Sequence, residues 1–300
     1  MRPLIFGEVL FDRFPDGTSV LGGAPFNVAW HLRGFGLDPL LISRIGEDAR
    51  GREITQAMDQ WGLDARGIQI DANRPTGIVE VTLGAGQHTF SILPDQAYDF
   101  IDPHRARDAS SGSDLGLVYH GTLALRSPAS RTALEAVRDA AEGTPVFLDV
   151  NLRDPWWRSV DLPELCAQAR WLKLNEDELD RISRSLGMRS RRLEERAARL
   201  LDRFDLELLV VTRGARGATA WAANGEVETV QPEMSTDVVD TVGAGDAFTA
   251  VLLYGLIRDW TLPKTLRFAQ TFANAICGVR GATVRDREFY ARITGQWSAV

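Results

Sequence analysis

Residues 240–248 read DTVGAGDAF, and the apolar run AFTAVLLYGLI (247–257) overlaps their end. The run has helical spacing, so the small residues 243–245 stand where a helix is predicted to begin. A helix start carries unpaired N–H groups and a partial positive charge, and small residues let a phosphate approach that backbone closely. A carboxylate at Asp246 would repel such a phosphate. Its position is explained if it takes a proton from the group that attacks the phosphate.

The composition is that of an ordinary globular protein, with 300 residues, 44% of them hydrophobic and 25% charged, and a net charge of -7. This acidic balance argues against nucleic acid as a main partner. The two cysteines, Cys166 and Cys277, provide neither a disulfide framework nor zinc-ligand spacing, so we expect a reducing, cytoplasmic setting. The N-terminus lacks a signal-peptide pattern, and the run 247–257 is too short to span a bilayer, so no membrane partner is expected.

Short apolar runs alternate with helix-length segments, which is typical of an α/β fold with a mostly parallel sheet between helices. The predicted strands are 3–7, 39–46, 116–121, 145–151, 171–175 and 206–214. The predicted helices include 24–36, 48–62, 130–143 and 190–204. From Asp246 onward the chain is predicted to be mainly helical.

Two segments break this alternation and are predicted to form hairpins. The first, 9–23, turns around residues 15–17, and the second, 75–93, turns around residues 84–86. Apolar and polar residues alternate in the second segment, which predicts that one face of its strands is exposed to solvent. We expect a small antiparallel sheet outside the main one, which would be a natural lid over the carboxyl ends of the parallel strands.

The stretch GGAPFNVA (22–29) is a second helix start with small residues, and proline suits its first turn. Asn27 there, and Asp12 earlier in the chain, are good partners for paired sugar hydroxyls because each offers more than one hydrogen-bonding atom. The alternative for residues 22–29 is a helix start with tight packing, and the alternative for Asp12 is a simple turn residue.

In LKLNEDEL (172–179), Asn175 and Glu178 are three residues apart where a strand enters a helix. One interpretation is a capping box, with Asn175 as the N-cap and Glu178 at the third helical position. The other is ordering of water around a magnesium ion and its phosphates. One pair can serve both purposes.

Two further stretches follow predicted strands. In VVTRGARGATAW (210–221), the residues Thr212, Gly214 and Gly217 form either a surface for a nucleotide or a plain strand-to-hairpin turn.

In LDVNLRDPWW (148–157), Asp149, Asn151 and Arg153 come after a strand. An arginine near a transferring phosphate neutralises developing charge, and the alternative is a surface ion pair.

Together these pieces resemble the ribokinase-like (PfkB) carbohydrate kinases, and within them the fructokinase-like branch. GGAPFNVAWHLRGFG (22–36) is similar to the N-terminal signature of that family, and DTVGAGDAFTA (240–250) to its C-terminal signature. Shorter pieces appear in the expected order: GEVLFD (7–12), GEDARG (46–51), HGTLAL (120–125), the N-x-x-E of 175–178 and TRGARG (212–217). The motif GGAP preceded by GEVLFD is similar to the corresponding stretch of fructokinases. Ribokinases usually show a lysine near the position of Ala24. The resemblance covers essentially the whole chain.

The resemblance implies a three-layer α/β/α ribokinase-like core with a mostly parallel sheet and a small β-sheet lid. It implies a single kinase domain over residues 1–300, with lid segments at approximately 10–22 and 74–99. The lid would exclude water, which otherwise competes as the phosphoryl acceptor. Lid sheets of this kind can pair, so a homodimer through the lid is a further expectation.

The resemblance also implies roles for the residues on the acceptor side. Asp246 would be the base that deprotonates the attacking sugar hydroxyl. The backbone N–H groups of the anion hole would come from Gly243, Ala244 and Gly245. The residues that would hold the sugar are Asp12, Gly23, Asn27, Asn151 and Arg153.

On the nucleotide side, the resemblance implies ATP and Mg²⁺. The residues that would bind ATP are Asn175, Thr212, Gly214, Gly217 and Asn274. Glu178 would hold Mg²⁺ through water. Some members of the family bind a monovalent cation beside the anion hole, and the backbone carbonyls around Asp240 and Val242 are the matching place for K⁺.

The implied activity is transfer of the γ-phosphoryl group of ATP to a sugar hydroxyl, with D-fructose as the leading acceptor. Another small sugar, 2-keto-3-deoxygluconate or a nucleoside could be the acceptor on the same scaffold. A substrate with a carboxylate would need a cationic partner, and Arg153 is the candidate. A non-catalytic sugar sensor would lack the base, whereas Asp246 is present. A dinucleotide oxidoreductase would need G-x-G-x-x-G and a Walker-type NTPase would need G-K-[ST], and the chain has neither.

Overall fold

The computed structural model describes residues 1–84, 87–232 and 238–298 and shows an α/β protein. Within these residues, nine strands form a large sheet, numbered here in chain order together with the strands of a second, smaller sheet. The large sheet contains β1 (Arg2–Phe6), β4 (Leu40–Gly46), β5 (Ile68–Asp71), β8 (Leu115–His120), β9 (Val146–Asp149), β10 (Trp171–Asn175), β11 (Leu208–Thr212), β12 (Ala218–Ala222) and β13 (Val227–Val230). The strand order is β13-β12-β11-β10-β9-β8-β1-β4-β5.

The large sheet is mostly parallel, as predicted. All neighbours from β11 to β5 pair in parallel, whereas β12 and β13 pair antiparallel at one edge. Every strand predicted from an apolar run is present. The short edge strands β5 and β13 were not predicted, because four residues at a sheet edge carry little apolar periodicity.

The smaller sheet has the order β3-β2-β6-β7. Its strands are β2 (Leu10–Arg13), β3 (Ser19–Gly22), β6 (Gly77–Gly84) and β7 (Gln87–Ile92). Both predicted hairpins form, and residues 85–86 of the second turn lie outside the described residues. The prediction of a purely antiparallel sheet was wrong, since β2 and β6 pair in parallel. The reason is topological: β2 follows β1 and β6 follows β5, so both leave the same edge of the large sheet in one direction.

Helices cover both faces of the large sheet. The described helices are α1 (Ala24–Gly34), α2 (Ala49–Trp61), α3 (Pro103–Ser110), α4 (Pro128–Ala140), α5 (Leu162–Ala167), α6 (Glu176–Ser185), α7 (Leu193–Phe204), α8 (Ala244–Ile257), α9 (Leu262–Cys277) and α10 (Arg287–Gly295). One core cluster joins the sheet to α1, α2, α8, α9 and α10, and a second joins it to α3 through α7. Alternate strand residues face the two clusters, Ile5 one and Leu4 the other, which gives the three layers expected of this pattern.

Helix α8 explains how the motif at 240–248 is held. Every residue from Ala247 to Leu253 is buried, because the helix packs between α1 and α9 on the sheet. A helix that is apolar all round belongs in a protein interior. Its first turn therefore has a fixed position relative to the ends of the strands.

Candidate active site

The candidate site lies where the parallel strands of the large sheet end. Asn175 and Thr212 are the last residues of β10 and β11 and are paired in register. Asp149 ends β9, and Lys173 of β10 is its partner in register. The carboxyl ends of parallel strands meet at one edge of a sheet, where ligands usually bind in open α/β folds. The structure thus brings together residues from distant parts of the chain.

Two helices begin at this edge, each after a glycine with a positive φ. Gly23 is the N-cap of α1 with φ 104°, and Gly243 is the N-cap of α8 with φ 80°. A Cβ atom at Gly23 would lie 2.8 Å from the carbonyl oxygen of Glu8, and one at Gly243 would collide with Ala282. Both positions therefore require glycine. Neither cap is closed by a side chain, so both helix starts present backbone N–H groups.

The predicted anion-hole residues form the first turn of α8. The Ala244 N–H lies 3.3 Å from the carbonyl oxygen of Thr241, which is a long hydrogen bond. A Cβ atom at Gly245 would have nothing within 4 Å, so the backbone there is open to an approaching group. This geometry suits an anion at the positive end of the helix dipole.

One hydrogen bond joins the two helix starts. Asn27 Nδ2, in the first turn of α1, donates to Asp246 Oδ2, in the first turn of α8, over 2.7 Å. Burial raises the pKa of Asp246 above its usual range, and the hydrogen bond from Asn27 opposes that rise. The charge of Asp149 raises the pKa further, whereas Lys173 lowers it. A carboxylate with a raised pKa at a helix start has the properties of a general base.

Asp12 and Arg153 lie around the same carboxylate. Asp12 Oδ2 and Asn27 Oδ1 are 3.7 and 3.8 Å from the place of a Cβ atom on Gly22, so the two side chains flank one position. Burial raises the pKa of Asp12 to about 6, and Arg153 opposes that rise. The exposed guanidinium of Arg153 also lowers the pKa of Asp246. Among the described contacts, none joins the side chain of Asn151 to this group.

Asn175 and Glu178 form the capping box that the spacing allowed. Asn175 Oδ1 accepts from the Glu178 N–H over 2.9 Å, and Glu178 Oε2 accepts from the Asn175 N–H over 2.8 Å. Glu178 Oε1 accepts from the Leu152 N–H over 2.7 Å, which ties α6 to the segment after β9. Burial raises the pKa of Glu178, and its two backbone hydrogen bonds lower it. Each oxygen keeps a lone pair for a metal-bound water, so the group fits indirect coordination.

The predicted nucleotide residues come from two separate elements. Thr212 ends β11, and Gly214 and Gly217 follow in a turn with φ 54° and 81° that leads into β12. Asn274 lies on α9, and its Oδ1 accepts from Gln270 Nε2 over 2.8 Å. Helix α9 packs against β13, at the same edge of the sheet as the β11–β12 hairpin. No described contact joins Asn274 directly to the hairpin.

The side chain of Asp240 holds the segment before α8 through two hydrogen bonds to backbone N–H groups. Its Oδ1 accepts from the Val242 N–H over 3.0 Å, and its Oδ2 accepts from the Gly281 N–H over 3.2 Å. Each carboxylate oxygen thus accepts one backbone hydrogen bond, which fixes the segment before α8, and Val242 is exposed. The backbone carbonyls of Asp240 and Val242, which the resemblance assigns to a cation, belong to this segment.

Residues 1–84, 87–232 and 238–298 contain no cluster of three or more His, Cys, Asp or Glu side chains able to hold a metal. They also contain no helix that is long and apolar enough to cross a membrane. A metal ion bound there would take most of its ligands from phosphate oxygens and water, as Mg²⁺ commonly does.

The model of the pfkB family of carbohydrate kinases matches residues 6–287. The chain belongs to that family. A fructokinase from Klebsiella pneumoniae is 34% identical over an alignment of 297 residues, and the alignment covers 94% of this chain and 93% of that protein. An aminoimidazole riboside kinase from Salmonella typhimurium is 31% identical over 295 residues, covering 94% of this chain and 89% of that protein.

The fold of this family member is also found among solved structures. A double-mutant fructokinase from Vibrio cholerae O395, in a form with fructose, ADP and potassium ion bound, has a TM-score of 0.79 and is 25% identical. The match covers 98% of each chain. The expected ribokinase-like α/β core with a second small sheet is thereby confirmed.

The sequence reasoning missed a buried polar group beneath Asp246. Lys173 Nζ donates to both carboxylate oxygens of Asp149, over 3.0 and 2.9 Å. Thr249 Oγ1, in the second turn of α8, lies 2.8 Å from Asp149 Oδ2. All three side chains are buried. A lysine inside the apolar run WLKLN was the available signal, since a buried lysine needs a charged partner.

Proposed function

We propose that this protein transfers the γ-phosphoryl group of ATP to a hydroxyl group of D-fructose. The observation that carries the proposal is the hydrogen bond between Asn27 and Asp246 at the meeting point of two helix starts. It sets a carboxylate with a raised pKa beside open backbone N–H groups. Phosphoryl transfer needs positioning and charge stabilisation of this kind more than covalent chemistry.

In this proposal Asp246 accepts the proton of the attacking hydroxyl. The N–H groups of Gly243, Ala244 and Gly245 stabilise the charge on the transferring phosphoryl group. Removal of the proton late in the reaction is compatible with a base of modest strength.

The sugar would be held by side chains that offer paired hydrogen-bonding atoms. We assign this role to Asp12, Gly23, Asn27, Asn151 and Arg153. Asp12 and Asn27 flank Gly22, and the charge of Arg153 reaches Asp12 and Asp246. Fructose is favoured by the similarity to the fructokinase from Klebsiella pneumoniae.

The nucleotide would lie along the neighbouring strand ends. We assign its binding to Asn175, Thr212, Gly214, Gly217 and Asn274. Glu178 would hold Mg²⁺ through water, and the metal would neutralise phosphate charge when bound. The similar Vibrio cholerae fructokinase was solved with fructose, ADP and potassium ion bound, which supports ATP as the donor and K⁺ as a bound cation. We assign K⁺ to the carbonyls of Asp240 and Val242.

We further propose that residues 1–300 form one kinase domain, with residues 10–22 and 74–99 as its lid. The lid sheet offers a face for a homodimer. The two cysteines are unpaired, which suits a cytoplasmic enzyme that uses ATP.

A nucleoside-like acceptor is the second candidate. The aminoimidazole riboside kinase from Salmonella typhimurium is nearly as similar to this chain as the fructokinase from Klebsiella pneumoniae is. The two candidates share the donor, the base and the anion hole. They differ only in what fills the acceptor pocket.

The test is ATP-dependent phosphorylation across fructose, glucose, mannose, ribose, adenosine, aminoimidazole riboside and 2-keto-3-deoxygluconate, with Asp246→Asn as the control. Turnover of fructose well above the others, lost in the variant, supports the proposal. Preference for another acceptor would reject fructose as the substrate but would support phosphoryl transfer as the reaction. Binding of a sugar with no turnover of any acceptor would indicate a sensor.

A further inference from the structure

Thr249 is a polar side chain in the most deeply buried part of α8. It is 0% exposed, and its neighbours Phe248 and Ala250 are buried and apolar. Threonine is less favourable in a helix than alanine or leucine, and a buried hydroxyl costs free energy unless it is hydrogen-bonded. The partners of this hydroxyl therefore indicate what the residue does.

The Thr249 hydroxyl joins two different parts of the fold. Its Oγ1 lies 2.8 Å from Asp149 Oδ2, at the end of β9, and 2.9 Å from the carbonyl oxygen of Gly245, one turn earlier in α8. A carboxylate and a carbonyl can only accept, so the single hydroxyl proton is shared between them. The hydroxyl thereby ties the first turn of α8 to the large sheet.

The sheet side of this link is rigid. Lys173 Nζ donates to both oxygens of Asp149, and the Val150 N–H donates to the Lys173 carbonyl over 2.9 Å. Asp149 and Lys173 are 2% and 6% exposed, on neighbouring central strands. A buried carboxylate that is hydrogen-bonded on both oxygens has a fixed direction. Asp149 is therefore a fixed anchor for the hydroxyl.

The helix side of the link is the predicted anion hole. The Gly245 carbonyl and the Asp246 N–H belong to one planar peptide group, so a bond to the carbonyl sets the direction of that N–H. Asp246 is the third residue of α8, and the first N–H groups of a helix have no partner inside it. The same peptide group carries the proposed base. A shift of the Gly245 carbonyl would therefore move both a donor of the anion hole and the carboxylate.

We propose that the Thr249 hydroxyl positions the peptide group between Gly245 and Asp246 for phosphoryl transfer. The Lys173–Asp149 ion pair is the anchor that holds the hydroxyl in place. Thr249 is a positioning residue, because it acts through that peptide group rather than on the substrate. The inference rests on the proposed function, since it takes the first turn of α8 as the place of the transferring phosphoryl group.

The test compares Thr249→Val, which keeps the size of the side chain, with Thr249→Ser, which keeps the hydroxyl. Thr265→Val is the matched control. Thr265 is 5% exposed, bonds the carbonyl of Thr261 four residues earlier in α9 and packs against the far end of α8 at Gly255. Among the described contacts, none joins its hydroxyl to a carboxylate. Urea unfolding checks that each variant is folded, and Thr249→Ala with Thr265→Ala replaces the valine pair if Thr249→Val is not.

With the best acceptor of the panel, Thr249→Val should lower kcat by about 10- to 100-fold while the KM values for ATP and acceptor stay within about twofold. The reason is that a misplaced N–H group weakens binding of the transition state more than binding of the substrates. Thr249→Ser should restore most of kcat, and Thr265→Val should keep the wild-type value.

A binding measurement accompanies the kinetics. Aluminium fluoride with Mg²⁺ and ADP mimics the transferring phosphoryl group, and calorimetry measures how tightly each protein binds this complex in the presence of the acceptor. Thr249→Val should bind it about tenfold more weakly than the wild type, whereas ADP alone should bind equally well to both.

Three results would overturn the positioning role and leave the reaction standing. They are an unchanged kcat in folded Thr249→Val, a loss expressed in KM alone, and an equal loss of kcat in Thr249→Ser or Thr265→Val.

If the wild type phosphorylates no acceptor, the proposed reaction fails and the aluminium fluoride complex decides the inference. Weaker binding of that complex by Thr249→Val than by the wild type supports the positioning role, and equal binding overturns it. If the wild type does not bind the complex, both the reaction and the positioning role are overturned.

Discussion

Asn27 of α1 and Asp246 of α8 are hydrogen-bonded over 2.7 Å although 219 residues separate them. The bond fixes the orientation of the proposed base and connects two helix starts that no side chain caps. It also favours the charged form of Asp246 against the effect of burial. Much of the proposed catalysis therefore depends on one amide group.

Asn27→Leu keeps the volume of the side chain but removes the amide. Because the hydrogen bond from Asn27 lowers the pKa of Asp246, its loss should move the acid limb of kcat/KM to higher pH. We expect kcat/KM at pH 7 to fall by about tenfold, the effect of losing one hydrogen bond to a charged group. Asn73→Leu, on the surface, is the control. An unshifted pH profile in Asn27→Leu would show that the bond does not tune Asp246.

Lys173→Met should destabilise the protein, since it leaves the buried carboxylate of Asp149 without its cation. Breaking a buried pair in this way typically costs about 3–5 kcal/mol. Urea unfolding measures the loss, and the double variant Lys173→Met with Asp149→Asn should recover part of it. Lys173→Met alone with wild-type stability would contradict the buried ion pair.

Glu178→Gln separates the capping role from the metal role. The amide can accept only one of the two backbone hydrogen bonds that the carboxylate accepts, so stability should fall by about 1–3 kcal/mol. If Glu178 also holds Mg²⁺ through water, the Mg²⁺ concentration for half-maximal rate should rise by about 10- to 100-fold. Asp177→Asn, exposed in the same helical turn, should change neither quantity. If folded Glu178→Gln shows the same Mg²⁺ dependence as the wild type, Glu178 caps α6 and does not hold Mg²⁺.

Glu8→Gln should stabilise the free enzyme at pH 8. Burial raises the pKa of Glu8 from 4.5 to about 7, so the favourable protonated state is complete below pH 4.5 and is lost as the pH rises through 7. At pH 8 the wild type therefore carries a cost of up to about 3 kcal/mol, which the neutral glutamine avoids. Thermal melts at pH 8 and pH 4.5 should show the gain at pH 8 only. Destabilisation by Glu8→Gln at pH 8 would indicate that Glu8 serves to hold Arg126.

Features set by short stretches of chain were predictable. The helix starts at Gly23 and Gly243 depend on glycines that stand beside the helix they begin, and the buried strands depend on local apolar runs. The capping box of Asn175 and Glu178 is equally local. For this reason the family signatures and the order of the elements could be inferred from the sequence.

Features that depend on pairing between distant segments were not predictable. Lys173 meets Asp149 only because β9 and β10 are neighbours in one register, which no single stretch encodes. The parallel pairing of β2 with β6 depends on how both hairpins leave the large sheet.

The kinetics of Asp246→Asn test the central claim most directly. The substitution keeps the shape and can still accept the hydrogen bond from Asn27, but it removes the basic oxygen. We predict that kcat for the best acceptor falls by about 10²- to 10⁴-fold, while calorimetry shows ATP and sugar bound with nearly unchanged affinity. A variant that binds both substrates and retains a kcat close to that of the wild type would contradict the assignment of Asp246 as the base.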